Sequence, residues 1–502
     1  MTDMPPSSSP THADSTRADD TRADDIRAGR TGLAGLALSM LTASLGVSIA
    51  NVALPTLAQA LDVPFQAVQW VVLAYLLAVT VAIVGAGRLG DALGRRRVLS
   101  AGLVLFALAS AASALAPSFD LLIAGRALQG LGAAVLMALT LALVRETVTA
   151  ERTGAAMGLL GTTSAIGTAL GPSMGGLLIA AAGWRAVFIV LVPAALAALL
   201  LIRRGLPAAP APGPAAPTAP RPGLDLPGTL VLAVSLGAYA LAMTRPHGLD
   251  TMAFILLAIA ALGVTIFLGV ERRARAPLIR PAALCEPLLA AALICNLLIA
   301  TVIMTTLVVA PFYLSHTLGL DTARVGLVMS VGPVLSALTG LPLGRLVDRG
   351  DAGLMAIAGL AAMAAGAALL AVLPGWFGLP GYLAGILVLT PGYQLFQAAN
   401  NTQVMATVPA DRRGVTSGML GLARNLGLVT GAAVMGAVFA AAAGGNVTTA
   451  GADAVARGLR VTFATAALLM LAGIVIALVG RTMAGRMIAG RSAAVRSRRD
   501  RS

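Results

Sequence analysis

Stretches of about 20 residues without a charged side chain recur along this chain of 502 residues. Each is long enough to cross the ~30 Å hydrocarbon of a bilayer as a helix. In hydrocarbon the backbone must satisfy its own hydrogen bonds, so only helices and closed barrels can cross. A barrel needs short strands alternating polar and apolar residues, whereas these runs are continuously apolar. Fourteen segments are read, at 33–55, 67–86, 98–116, 119–143, 154–181, 185–202, 226–243, 252–270, 288–312, 321–343, 353–373, 381–405, 413–441 and 460–480. Charged residues make up 11% of the chain, against about 25% in soluble domains. Mean hydropathy is +0.88, and a soluble enzyme is excluded.

Residue types exclude more. All 35 basic residues are Arg, so neither a Walker A lysine nor a lysine Schiff base can form. His12, His247, His316, Cys285 and Cys295 are too few for a His/Cys metal cluster. No metal or cofactor is expected. Cys285 and Cys295 on one helix would sit ~15 Å apart, too far for a disulfide; they are read as small buried hydrophobes. The net charge of +14 does not point to nucleic acid. With the N-terminus inside, 28 of the 35 Arg fall in the tails and even-numbered turns. By the positive-inside rule both ends are cytoplasmic, as in a multi-pass protein of the cell (inner) membrane.

Residues 1–31 are polar and carry a doubled Thr-Arg-Ala-Asp-Asp (16–20, 21–25); they are expected to be a disordered tail. Residues 204–225 are Pro/Ala-rich and read as a stiff linker. Residues 482–502 form a basic tail. Between these lie two halves that repeat each other. Gly158, Gly161, Gly167, Gly171 and Gly176 recur 260 residues later as Gly418, Gly421, Gly427, Gly431 and Gly436. Gly87-Arg88-Leu89-Gly90-Asp91 recurs after 257 residues as Gly344-Arg345-Leu346-Val347-Asp348. The expected fold is therefore an all-α membrane protein of two six-helix bundles, 32–203 and 287–481, with an inserted two-helix hairpin at 226–286. Parallel repeats of this kind build transporters whose site lies between the halves.

Three motifs suggest mechanism. In the turn after span 2, Gly87, Gly94 and neighbouring glycines permit a tight reversal. There Asp91 can cap a helix or pair with a cation, forming a conformational latch with Arg95, Arg96 and, in the repeat, Asp348; the basic run also serves as an inside anchor. In span 4, Arg126 lies within an apolar segment, beside Gln129. A charge there is a functional-site hypothesis by default, although snorkelling could also accommodate it. In span 5, Gly167, Gly171 and Gly175 share one face near Pro172 and Gly176, permitting close helix contact or a hinge.

These residues resemble the Major Facilitator Superfamily, and more narrowly its fourteen-span drug:proton antiporters. The likeness covers about residues 32–485. It rests on Gly87, Leu89, Asp91, Gly94, Arg95 and Arg96 after span 2, and on Arg126, Gln129 and Gly130 in span 4. Gly167, Gly171, Pro172, Gly175 and Gly176 match in span 5, Asn51-Val52-Ala53-Leu54-Pro55 in span 1, and Trp184-Arg185 at span 6. The resemblance implies proton-driven export of small hydrophobic or amphipathic molecules. The chain departs from the family at the commonly acidic position five residues before Asn51, which is Gly46. No Asp or Glu is read deep in a span; Asp120, Asp225 and Glu286 lie near ends. Arg stays charged and cannot itself carry the proton, so Asp120 beside Arg126, or His316, is the expected coupling group.

Isolated polar residues in apolar spans suggest a cavity. Candidates are Ser48 and Asn51 in span 1, Gln129, then Gln394, Gln397 and Asn401 on one face of span 12, and Arg424 in span 13. A mostly apolar cavity with a few amides suits hydrophobic compounds. The expected function is a secondary-active exporter of drugs, antibiotics or a related metabolite, not an enzyme, acting as a monomer in the bilayer with protons as partner. A carrier of a non-drug solute and a non-transporting membrane sensor are the alternatives.

Overall fold

The computed structural model describes residues 12–148, 150–206, 226–245, 250–273, 286–408, 413–445 and 447–499. The regular structure among them is helical throughout. The long helices, numbered here in chain order, are α1 (His12–Val52), α2 (Trp70–Leu93), α3 (Arg95–Leu115), α4 (Phe119–Thr147), α5 (Ala150–Ala182), α6 (Leu191–Gly205), α7 (Leu226–Met243), α8 (Thr251–Arg273), α9 (Pro287–Phe312), α10 (Thr322–Arg349), α11 (Ala352–Val372), α12 (Leu379–Thr407), α13 (Arg413–Thr430) and α14 (Ala452–Arg499).

Among the described residues, twelve helices are long and apolar enough to cross a membrane, where fourteen were expected along the chain. The two others differ for different reasons. The apolar part of α7 is short, Pro227–Met243, while α12 is long but interrupted by Gln394, Gln397, Asn400 and Asn401. Helical ends also differ from expectation. α1 begins at His12, so the tail read as disordered is helical from there, and α14 runs to Arg499. Both extensions are rich in Ala and Arg, which favour helix. The linker from residue 207 to 225, Cys285 and His247 lie outside the described residues.

Helix starts and turns follow local chemistry. Ser118, Asp321 and Asp351 cap α4, α10 and α11 by accepting from Leu121 N, Arg324 N and Leu354 N, each satisfying a free N–H of the first turn. Gly94 breaks α2 from α3 with φ +94°, a conformation closed to most L-residues.

Packing groups the long helices into two sets. α1 lies on α4, α5 and α6, and α4 also lies on α2 and α3. In the second half α9 lies on α13 and α14, and α12 on α10 and α11. One cluster of buried apolar side chains runs through both halves. α5 and α10 cross between the halves. The α7–α8 pair packs on α2, with Leu232, Leu236 and Phe267 against Leu77 and Leu426. Trp70 Nε1 donates to Thr244 Oγ1, and Tyr239 OH to Thr430 Oγ1. The hairpin therefore touches both halves.

Candidate translocation pathway and gate

The molecule has two faces. The near face carries the α2–α3 and α10–α11 turns. The far face carries the α1–α2 connection and the start of α10.

At the far face the halves are sealed. The ring of Phe65 meets Phe312 edge-on at 4.8 Å and Phe439 at 5.4 Å. Such pairs contribute roughly 0.5–1.5 kcal/mol each beyond burial. Gln66 Nε2 donates to Gly445 O at 2.9 Å. The α5–α10 crossing is backbone on backbone: a Cβ on Gly176 would lie 3.0 Å from Gly326 Cα, and one on Gly326 would strike Pro172 O. A Cβ on Gly436 would strike Gln69 of the α2 cap.

At the near face the same helices part. Gly158 lies 18 residues from Gly176, Gly344 from Gly326, Gly87 from Gln69, and Gly418 from Gly436. Eighteen residues make five turns and about 27 Å, which returns to the same helix face; in α13 the π-turn Gly431–Met435 lies between the two positions. A Cβ added at Gly158, Gly344, Gly87 or Gly418 would meet nothing within 4 Å. The four interface helices are thus closed at one end and open at the other.

The latch residues agree with that state. Asp91 pairs with its own neighbour Arg95 at 2.7 Å, Arg96 donates to Arg203 O at 2.7 Å, and Asp348 is exposed. The repeat of this turn has a different bond: Asp351 takes two hydrogen bonds from Arg481 of α14, at 2.8 and 2.9 Å. Those bonds, with the Leu354 N–H, hold its carboxyl below the ordinary carboxylate value.

The span 5 glycines are contact residues. Added Cβ atoms at Gly167, Gly171 and Gly175 would meet Leu41 O, Ser48 and Ile49 of α1, and Pro172 lies within α5 without ending it. Ser48, expected in the cavity, is instead buried and donates to Gly167 O at 3.2 Å. Asn51 is also buried, its Nδ2 donating to Val47 O. In membrane helices hydroxyls and amides readily take such bonds, because hydrocarbon offers no other partner.

Arg126 is fully buried in the first half. Its Nε donates to Val71 O at 2.7 Å and its Nη1 to Gly46 O at 3.2 Å and to Gln129 Oε1. Gln129 Nε2 donates to Ser110 Oγ at 2.7 Å. The guanidinium lies over the Tyr75 ring at 4.4 Å and within 5.8 Å of Phe188. Its Nη2 has no acceptor, and none of these partners is a carboxylate. Asp120 is exposed in the first turn of α4 and is not among them. Six residues on a helix turn through about 240°, so the expected pair points two ways. At Gly46 a Cβ would lie 3.0 Å from Phe106 Cζ and 3.3 Å from Tyr75 OH.

In the second half, Gln394 Nε2 donates to Ser336 O across to α10 and Gln397 Nε2 to Tyr393 OH; Asn401 and Arg424 are exposed. His316 accepts or donates at Nδ1 with Ser315 Oγ and stacks on Phe312, beside the far-face seal. Sequence reasoning missed the seal, the Asp351–Arg481 pair, and Glu271 of α8, which is 1% exposed. The seal's one sequence signal is scarcity: three of only 11 Phe meet there.

Two helical bundles around an interface sealed at one face and open at the other have the architecture of a membrane carrier. The sequence matches the Major Facilitator Superfamily over residues 36–432 and 292–493, and the chain belongs to that family. It is a multi-pass membrane transporter. It is 30% identical over 418 residues to the multidrug efflux pump LfrA of Mycolicibacterium smegmatis, covering 83% of this chain and 82% of that protein. It is 27% identical over 406 residues to the riboflavin transporter RibZ of Clostridioides difficile, covering 81% and 87%. The fold matches the crystal structure of a bacterial homologue of the human lysosomal transporter Spinster in an inward-facing, occupied conformation. That match has a TM-score of 0.62 at 14% identity over 90% of this chain and 96% of that one.

Proposed function

We propose that this protein is a fourteen-span, proton-driven exporter of small hydrophobic or amphipathic molecules, of the drug:proton antiporter type, working by alternating access. The near face is cytoplasmic, with both termini, in the cell's inner membrane. The observation that carries this reading is the set of four interface helices, packed at Gly176, Gly326, Gln69 and Gly436 and open five turns away. Exchange of the two ends would close Gly158 towards Gly344 and Gly87 towards Gly418. The small residues at those places leave room for such contact, and the latch residues Asp91 and Asp348 flank it. α7 and α12 supply the thirteenth and fourteenth crossings, α12 because Gln394 bonds to α10 and Asn400 is buried within protein. The excess of Arg on the near-face turns supports the orientation, and the likeness to LfrA supports export.

Proton coupling needs a titratable group that reaches each side in turn. His316, stacked in the seal, is the group best placed for it, and Asp120 has lost its partner. The likeness to RibZ supports a second reading, a carrier of a non-drug solute. Everted vesicles with a pH-sensitive dye test both. Drug-dependent collapse of the proton gradient by the wild type, absent with Gly176→Leu protein, supports antiport. Movement of labelled riboflavin without any drug response supports the second reading.

A further inference from the structure

Inside the described membrane segments, away from their ends, the charged side chains are Arg126, Arg424 and Arg460, all of them arginines. The other buried charge among the described residues is Glu271, one residue from the end of the span Thr251–Arg272 on the peripheral hairpin. Arg126 keeps its full positive charge, because an arginine does not deprotonate in proteins. Its environment offers carbonyls, an amide oxygen and two aromatic faces, all neutral, and leaves Nη2 without an acceptor. A side chain at Gly46 cannot supply the missing charge unless Phe106 moves.

Arg424 and Arg460 are exposed; Arg460 reaches Gly375, just past the end of α11, and Arg424 lies in α13. By the 260-residue repeat it takes in α13 the place that Ser164 takes in α5, where Ser164 Oγ lies 2.7 Å from Ser44 Oγ of α1. That edge of α5 adjoins α1, so the matching edge of α13 adjoins α9, on which Gly427 and Gly431 pack against Leu297 O and Thr301 O. A charge inside a membrane segment faces protein or a water-filled cavity rather than lipid. Gly421 and Gly418, about one and two turns before it, lie in open space at the parted end.

We infer that the transported molecules are amphipathic organic anions, received by Arg424 and favoured by the uncompensated field of Arg126. This rests on the export reading above and names the substrate class of the same pathway. A unit charge at about 10 Å, with an effective dielectric near 20, discriminates between opposite substrate charges by at least on the order of tenfold. Cations of the same shape are disfavoured by the same field.

The test uses two dyes with one xanthene body, carboxyfluorescein (anionic) and rhodamine 123 (cationic). Binding to the purified full-length protein is read by fluorescence anisotropy, and flux in proteoliposomes. The wild type should bind the anion about tenfold more tightly than the cation. Arg424→Gln should remove most of that ratio and Arg424→Glu should invert it, both with thermal unfolding like the wild type because the side chain is exposed. A wild type that prefers the cation, binds neither dye, or keeps its ratio in Arg424→Glu overturns the inference. Flux without anion preference leaves the export reading standing and the anion inference overturned; anion-selective binding without flux does the reverse.

Discussion

The far and near ends of the interface are built from the same helices and the same residue type, yet only one end is in contact. Gly176 and Gly326 sit backbone on backbone; a Cβ added at Gly158 or Gly344, five turns away, would meet nothing within 4 Å. Glycine at the closed end is demanded by what is seen there. At the open end it has no contact to serve in this state, and its presence is explained by a second state in which that end closes. The comparison separates residues that hold the observed state from residues that wait for the other one.

Substitutions break the comparison in a graded order. Gly176→Leu or Gly326→Leu should do most. Forcing a side chain between two backbones costs roughly 1–3 kcal/mol, which shifts the balance of states about 5- to 150-fold, and flux should fall by that factor. Arg126→Gln comes next. It leaves Val71 O and Gly46 O without their donor, at about 1–3 kcal/mol, measurable as a lower Tm in detergent together with loss of flux. Gly158→Leu sharpens the contrast: it should unfold like the wild type, because the space is open, yet cut flux about tenfold if the near end must close to within backbone contact. Unchanged flux in Gly158→Leu would remove that residue from the second seal. Ser48→Ala deletes one interhelical bond worth about 0.6 kcal/mol and should leave flux intact.

The smallest effect is the pH response of Asp351. Its carboxyl is held below the ordinary value, first by the Arg481 hydrogen bonds. Depression of an acid's folded value means its contribution is present above the unfolded value and is lost as pH falls through the folded one. Unfolding of Arg481→Gln and wild type should therefore run parallel above pH ~5 and converge only at acid pH below the ordinary carboxylate range. Divergence near neutral pH would contradict this assignment.

Much of the architecture was legible because lipid imposes a length rule on every span, and because the repeat carries charges as well as glycines. The contact role of Gly167, Gly171 and Gly175 followed from their spacing on one face. The site was less legible, for identifiable reasons. Ser48 and Asn51 share a face with each other but spend their polar atoms on α1 and α5 carbonyls, a choice composition does not encode. Asp120 and Arg126 are close in sequence but not in direction. Phe65, Phe312 and Phe439 come from three distant segments with no common period, so only the fold brings them together. Asp351 and Arg481 lie 130 residues apart on different helices, and nothing in either local sequence announces the pair.

The central claim is that the two ends of the interface exchange. Paired spin labels test it most directly, on a background in which Cys285 and Cys295 are replaced by Ala. One sample carries Gly158→Cys with Gly344→Cys, the other Thr322→Cys with Ala180→Cys near the far-face crossing. Distances are read by double electron–electron resonance, with and without a transported dye. The account predicts a population in which the near-face distance shortens while the far-face distance lengthens. Distances that stay fixed, or shift in the same direction, while the dye is still moved would contradict it.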